Sequence, residues 1–169
     1  MRLVLTRIDD RLLHAQVALG WVGALNPDVV VVADDKLSGD QRQIPLMRMS
    51  LPPEVELVVA GVEESARLLE RDAADARKCV LIVRTPADAV RLVEAGARVA
   101  AVNVGGMHFA EGKVRLLPYV YVGREDAEAL RRLSSRNVEL RAQDVPGNPS
   151  YDVVKLLEES GPRGAGASA

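Results

Sequence analysis

The sequence predicts an α/β chain, a doubly wound and mostly parallel sheet with helices on both faces. Three observations carry this. Short runs such as Val29-Val30-Val31-Val32-Ala33 and Cys79-Val80-Leu81-Ile82-Val83 recur along the chain. These runs are continuously apolar rather than alternating, the pattern of strands covered on both faces. Between them lie stretches with apolar residues three or four apart, which read as helices. Strands alternating with helices build crossover units, and crossovers build a parallel sheet.

The elements follow in order. Leu3 to Thr6 is the first strand. Leu13, Val17, Trp21 and Ala24 have helical spacing, and that helix runs to about Leu25, stopping before Asn26-Pro27. Gly20 weakens it slightly. Val29 to Ala33 is a buried strand, and Asp34-Asp35 cap a turn after it. Ser38 to Ser50 reads as a helix with Ile44, Leu46, Met47 and Leu51 facing inward, kinked or restarted at Pro45 and ended by Pro52-Pro53. Val55 to Ala60 is a strand, and Glu63 to Arg71 a helix whose leading acids suit its dipole. After the strand Cys79 to Val83, Thr85-Pro86 opens a helix with Thr as cap and Pro at the first position. Val90, Leu92 and Val93 form its buried face, and Gly96 ends it. Ala100 to Val104 is the fifth strand, Tyr119 to Val122 a strand nearer the edge, and Glu125 to Ser134 a helix. Val138 to Arg141 alternates strictly, so one face of that strand is wet. A short helix follows Pro149 and runs to Leu157.

At 169 residues the chain suits one domain with a sizeable core. We assign residues 1–160 to that domain and read the small, Pro/Gly-rich stretch 161–169 as a disordered tail. Apolar residues make up 48% and aromatics only 3%, so the core is built of Val, Leu, Ile and Ala. Net charge is 22 − 24 = −2, which argues against general nucleic-acid binding. A lone Cys79 excludes an internal disulfide and a cysteine-rich zinc site, and its place in an apolar run makes it a core residue. The opening residues show no signal-peptide pattern, and no apolar run is long enough to span a bilayer, so a soluble cytoplasmic protein is expected.

The chemistry is expected between the first strand and first helix. Arg7, Asp9, Asp10, Arg11 and His14 crowd there, at the carboxyl edge of a parallel sheet, where open α/β folds bind their ligands. An imidazole in that place is a nucleophile for phosphorus, with guanidinium groups to neutralise the incoming charge. Arg7 and Arg11 are assigned to the phosphoryl oxygens, and a helix amino terminus close by adds free N–H groups. The arginines are expected to keep His14 neutral by repulsion. Asp9 or Asp10 orients the imidazole or an arginine, or caps the helix, capping being the favoured reading for one of them. Gly105-Gly106, after a buried strand, reads either as a glycine loop against the phosphate site or as a turn needing positive φ. Gly61 and Thr85 stand at equivalent sheet ends. His108 reads as a surface loop residue, Trp21 as core, and Glu63-Glu64 as a solvated helix start. Neither a dinucleotide fingerprint nor a P-loop is present, which weakens a nucleotide-binding oxidoreductase reading.

Two blocks also resemble a known family. Arg7-Ile8-Asp9-Asp10-Arg11-Leu12-Leu13-His14-Ala15-Gln16-Val17, with Trp21 seven residues after His14, and Val102-Asn103-Val104-Gly105-Gly106-Met107 are similar to the IIB component of the mannose/sorbose family of sugar phosphotransferase systems. The similarity runs from Arg2 to about Leu157. It implies a seven-stranded sheet with its last strand antiparallel at one edge, and the alternation of Val138 to Arg141 fits such an edge. It implies a protein-Nπ-phosphohistidine–sugar phosphotransferase that is phosphorylated on His14, with Arg11, Arg7 and Asp10 as phosphate-site neighbours and Gly105 and Gly106 beside them. The implied partners are a IIA phosphohistidine protein or domain, the IIC/IID integral-membrane permease, and the sugar. No cofactor and no metal are implied, and the protein is expected at the cytoplasmic side of the permease. The sequence leaves the sugar and a homo-oligomer open. The alternative is a regulatory or binding module of the same fold that does not pass phosphate on. One departure stands out: the family has Gly directly after the histidine, and this chain has Ala15, for which we expect helical φ.

Overall fold

The strand order, β3-β2-β4-β1-β5-β8-β9, places the first strand at the centre of a seven-stranded sheet. The computed structural model describes residues 1–40, 42–71 and 74–160. β1 is Arg2–Asp9, β2 Val29–Ala33, β3 Glu56–Ala60, β4 Lys78–Val83, β5 Ala101–Gly106, β8 Glu139–Ala142 and β9 Tyr151–Asp152. Two further strands, β6 Val114–Leu117 and β7 Val120–Val122, pair antiparallel in a separate hairpin. The first helix, α1, spans residues 15–25; it is π-helical at Val17–Val22 and α-helical at Gly23–Leu25. The others are α2 Asp35–Ser38, α3 Gln43–Met49, α4 Val62–Arg71, α5 Pro86–Glu94, α6 Arg124–Ser135 and α7 Val153–Glu159. Pairings are parallel from β3 through to β8, and only β9 is antiparallel.

Alternate residues of β2 and β4 feed two cores. Val29, Val31, Ala33, Cys79, Leu81 and Val83 face a layer built with α4, α5, α6 and α7. Val30, Val32, Val80 and Ile82 face a layer built with α1 and Leu37 of α2. Burial of both faces is why the β2 and β4 runs are unbroken in apolar residues. The two layers differ in reach. The first contains Val102, Val104, Leu140 and Ala142, so it extends over β5 and β8. The second contains no residue of β5 or β8, so its core stops short of those strands on that face of the sheet. Burial pushes the Cys79 thiol up to about 12, as for a core residue with no reactive role.

Several expectations need correction. The antiparallel edge is Tyr151–Asp152, while Val138 to Arg141 forms an internal strand parallel to β5. Its alternation reflects one face open to solvent, with no edge involved. The expected Tyr119–Val122 strand belongs to the hairpin, which is joined to the end of β5 by a bridge from Met107 to Val120. The helix expected from Ser38 starts at Gln43, with Pro45 in its first turn, where a missing N–H breaks no hydrogen bond. Leu46 is exposed there, against expectation, and so is Ala24 in α1, whose π winding takes it off the buried face. Thr85 caps α5 by accepting from the Asp88 N–H, and Gly96 leaves that helix at φ +104°. The stretch 161–169 lies outside the described residues.

Candidate functional site

β1 lies between β4 and β5, where the chain's crossovers change direction, so its carboxyl end opens on the crevice such folds use for ligands. The last residues of β1 are Arg7, Ile8 and Asp9. Ile8 enters the core with α4 and α5, and Arg7 and Asp9 point to the other face. Both are buried, at 0% and 1% exposure. Arg7 Nε and Nη2 donate to Asp9 Oδ2 at 3.2 and 2.9 Å. Arg7 Nη1 donates to Asn103 Oδ1 at 2.5 Å and to the Gln143 carbonyl at 3.1 Å. The Trp21 ring lies 5.6 Å from the guanidinium carbon, and its Nε1 donates to the Asp144 carbonyl. A buried ion pair is tolerated when its remaining polar atoms are satisfied, as they are here. Burial pulls the Arg7 guanidinium below its ordinary value and Asp9 opposes this. Burial likewise pushes Asp9 up, but the His14 hydrogen bond and the Arg7 charge more than reverse it, so Asp9 lies below the usual carboxylate range and is ionised.

Gly105 and Gly106 explain how the pair fits. They lie in β5, not in a loop, and neither has positive φ. A Cβ on Gly105 would stand 1.8 Å from the Arg7 guanidinium carbon, and one on Gly106 would stand 2.9 Å from both Asp9 oxygens. The glycines are the space that Arg7 and Asp9 occupy. They lie beneath Arg7 and Asp9.

After Asp9 the chain turns sharply. The Asp9 carbonyl accepts from the Leu12 N–H at 2.9 Å, and Leu12 has φ +57° with its side chain buried. A leucine in the left-handed region costs about 1–2 kcal/mol, so this loop is held in shape by its burial. Asp9 Oδ1 accepts from the Arg11 N–H at 3.2 Å and stands 3.1 Å from His14 Nε2. His14 is 17% exposed. Asp10 turns away and holds His108, its Oδ2 accepting the His108 N–H and its Oδ1 facing the His108 ring, both at 2.6 Å. Asp10 thus anchors the loop after β5. Neither aspartate is seen capping α1: Asp9 accepts from the Arg11 N–H and Asp10 from the His108 N–H. Arg7 is buried, with its guanidinium bonded to Asp9, Asn103 and the Gln143 carbonyl. Arg11 is exposed, and its guanidinium makes one 3.4 Å contact with Gln16. The two arginines therefore do not flank His14 as a repelling pair, because Asp9 neutralises Arg7.

Two residues were missed by sequence reasoning. Asn103 is the lone polar residue in the run 101–104, and that break in an apolar strand was its signal. Arg84 follows β4 at the same sheet edge as His14; its Nη1 donates to the Asp10 carbonyl at 2.9 Å and its Nε to Asp34 Oδ2 at 2.6 Å. Thr85 serves as a cap, and Gly61 lies against the Asp35 carboxylate. Trp21 is core, as expected.

α1 begins directly after His14, whose carbonyl accepts the Ala18 N–H at 2.9 Å. The N–H groups before that one, on Ala15, Gln16 and Val17, have no partner within a helix. Ala15 is helical and exposed, and is not among the non-glycine residues with positive φ. An Ala15→Gly protein should therefore lose up to about 1 kcal/mol in urea unfolding and show no gain in phosphorylation rate. A rate gain would show that the site needs a glycine backbone there.

Among the described residues, no group of three or more His, Cys, Asp or Glu side chains is placed to hold a metal ion. No helix among them is long and apolar enough to cross a membrane.

Comparison with known proteins gives the family. The family model described as "PTS system sorbose subfamily IIB component" matches residues 3–165. The N-acetylgalactosamine-specific phosphotransferase enzyme IIB component 2 of Escherichia coli K12 is 39% identical over 155 residues, covering 92% of this chain and 98% of that protein. The mannose-specific EIIAB component of the same strain is 34% identical over 92% of this chain, which spans 48% of it. The crystal structure of the IIBSor domain of the Klebsiella pneumoniae sorbose permease superposes with a TM-score of 0.88 at 28% identity, covering 95% of this chain and 98% of that one. The chain belongs to the sorbose-subfamily IIB components of the sugar phosphotransferase system, phosphotransferases that carry phosphoryl groups to sugar during uptake.

Proposed function

We propose that His14 carries the phosphoryl group, and that Nδ1 is the atom that bears it. The observation behind this is the 3.1 Å contact between Asp9 Oδ1 and His14 Nε2. An ionised carboxylate accepts, so Nε2 carries the proton and Nδ1 keeps its lone pair. Nδ1 attacks the phosphorus of a IIA phosphohistidine, the P–N bond to IIA breaks, and the IIA imidazole leaves with that electron pair. Positive charge grows on the His14 ring as the new bond forms. Asp9 stabilises it, the part a buried carboxylate plays toward a catalytic histidine. The sugar hydroxyl then attacks the phosphorus and gives up its proton to solvent, while the P–Nδ1 bond breaks with its electron pair returning to Nδ1, which leaves His14 neutral.

The phosphoryl oxygens are received by Arg11 and by the N–H groups of Ala15 and Gln16 at the start of α1. Guanidinium binds such an anion through paired N–H donors, and a helix start adds its partial positive charge. Arg11→Ala should slow phosphoryl transfer by 10-fold or more, an order-of-magnitude figure for losing a charged donor. Arg11→Lys keeps charge without the planar fork and should fall in between. Equal rates in single-turnover transfer from IIA would remove Arg11 from the site.

The donor is a IIA protein or domain and the acceptor is a sugar held by IIC/IID membrane partners, so the chain works at the cytoplasmic face of that permease. Relatives named for N-acetylgalactosamine, mannose and sorbose point to a hexose or its N-acetyl derivative. The helical backbone of Ala15 takes away the departure that favoured a non-transferring module. The test is incubation with phosphoenolpyruvate, the two general phosphotransferase proteins and IIA, followed by mass spectrometry and NMR of the phosphohistidine. Stoichiometric, acid-labile phosphate on His14 Nδ1 is expected; phosphate on Nε2 would overturn the assignment to Nδ1.

A further inference from the structure

A cavity of about 600 Å³ opens along β1 and β5, with Trp21 of α1 and Leu69 and Glu70 of α4 at its walls. That volume is in the range of small-molecule sites, about 300–1,000 Å³. It does not include His14, Asp9, Asp10 or Arg11. β5 lines it at Ala101 and Asn103, and passes beneath the His14 site three residues later at Gly106, about 10 Å away at the rise of a strand.

We propose that this cavity is a second ligand site, which takes a small amphipathic anion and communicates with His14 through Asn103 and Arg7. Its floor is apolar: Leu3, Val4, Leu5, Ala101 and Val102 line it. Its charged side chains are two arginines and one carboxylate, Glu70, and the amino-terminal residue Met1 also lines it. Arg98 has no hydrogen bond or ion pair among the described residues. Arg141 donates only to the Ser150 hydroxyl and carbonyl, each at 3.2 Å, and has no acidic partner there. Two guanidinium groups bonded to no carboxylate, beside apolar strands, fit a carboxylate, sulfonate or phosphate head on an apolar body. A bare sugar phosphate would leave that floor unused.

The connection to His14 is a chain of hydrogen bonds. Asn103 lines the cavity, and its Oδ1 accepts from Arg7 Nη1 at 2.5 Å. Gln143 also lines it, and its carbonyl accepts from Arg7 Nη1 and from Asn103 Nδ2, both at 3.1 Å. Arg7 holds Asp9, and Asp9 holds His14 Nε2. A ligand that draws on the Asn103 amide alters the bonds that orient Arg7, and through Asp9 the imidazole. Binding stands apart from the role of His14; only the meaning of the coupling rests on the phosphocarrier reading.

The test uses the full chain and 8-anilinonaphthalene-1-sulfonate as probe. Saturable one-to-one fluorescence binding is expected. Arg141→Gln combined with Arg98→Gln should weaken it at least tenfold, and Ala101→Phe should block it with the circular dichroism spectrum unchanged. Non-saturating binding, or binding that both variants leave intact, overturns the site. Coupling is read by NMR of the two imidazoles: the probe should shift His14 and leave His108 in place. A bound probe with His14 unmoved overturns the communication. A dimer in sedimentation that Ala101→Phe dissociates would make this face a contact between copies and also overturn the ligand reading. Neither measurement involves phosphoryl transfer, so each outcome is independent of whether His14 proves to be the carrier.

Discussion

A His14→Ala protein is expected to take up no phosphoryl group while remaining folded. The imidazole is the group assigned to nucleophilic attack, and nothing else in the crevice replaces it. His108 is exposed, and its Nδ1 is engaged by Asp10. His108→Ala should keep most of the activity, losing a few-fold because the Asp10 anchor of the loop is weakened. The structural cost of His14→Ala is small but not zero. His14 is mostly buried, and its removal leaves Asp9 Oδ1 with the Arg11 N–H alone. One hydrogen bond to a charged group is worth about 1–3 kcal/mol, or roughly 2–4 °C in Tm per kcal/mol for a chain of this size. Intact mass under alkaline conditions measures the label, and circular dichroism measures the fold. Full labelling of His14→Ala would overturn the mechanism.

Arg7→Met should be the most damaging substitution to stability. It leaves Asp9 buried without its cation, and breaking a buried pair from one side costs about 3–5 kcal/mol. A domain has only about 5–15 kcal/mol in total. The effect depends on pH in a definite direction. Asp9 lies below its ordinary value of 3.8 in the folded protein. Its contribution is therefore fully present above that ordinary value and lost as pH falls through the lower folded value. Without Arg7 the burial cost is less opposed, so Asp9 protonates at higher pH and its contribution shrinks. The stability gap between wild type and Arg7→Met, measured by urea unfolding, should be widest near neutrality and narrow below about pH 4. A gap under about 1 kcal/mol at pH 7 would show that Asp9 finds another partner.

Where side chains alone decide structure, the sequence was readable. The β2 and β4 runs are apolar throughout because both faces are covered, and Thr85-Pro86 starts a helix by its own chemistry. His14 was legible because its charged neighbours stand between a strand and a helix. The roles of Arg7 and Asp9 were not, because they are set by a void. Gly105 and Gly106 lie almost a hundred residues away, and only strand pairing brings them beneath the pair. An arginine beside a histidine looks the same in sequence whether it meets solvent or a glycine-lined hole. The β6–β7 hairpin and the two-residue β9 were also invisible. Val114–Leu117 carries a charged residue amid apolar ones without alternation, and two residues hold no period.

The π turn of α1 has a consequence for how this helix tolerates change in length. The Gly23 N–H reaches back five residues to the Ala18 carbonyl, so the helix winds one residue more per turn than its span requires. Val17, Ala18, Trp21 and Val22 face inward while Leu19 stands 80% exposed. Losing Leu19 would let the turn close to ordinary α winding, with Val17 and the tryptophan then three apart and still on one face. Descendants of this gene can therefore lose the Leu19 codon at little expense to the core. The four residues between Asp9 and His14 have no such slack: they must return the imidazole to the carboxylate they left, and a codon gained or lost there separates the two.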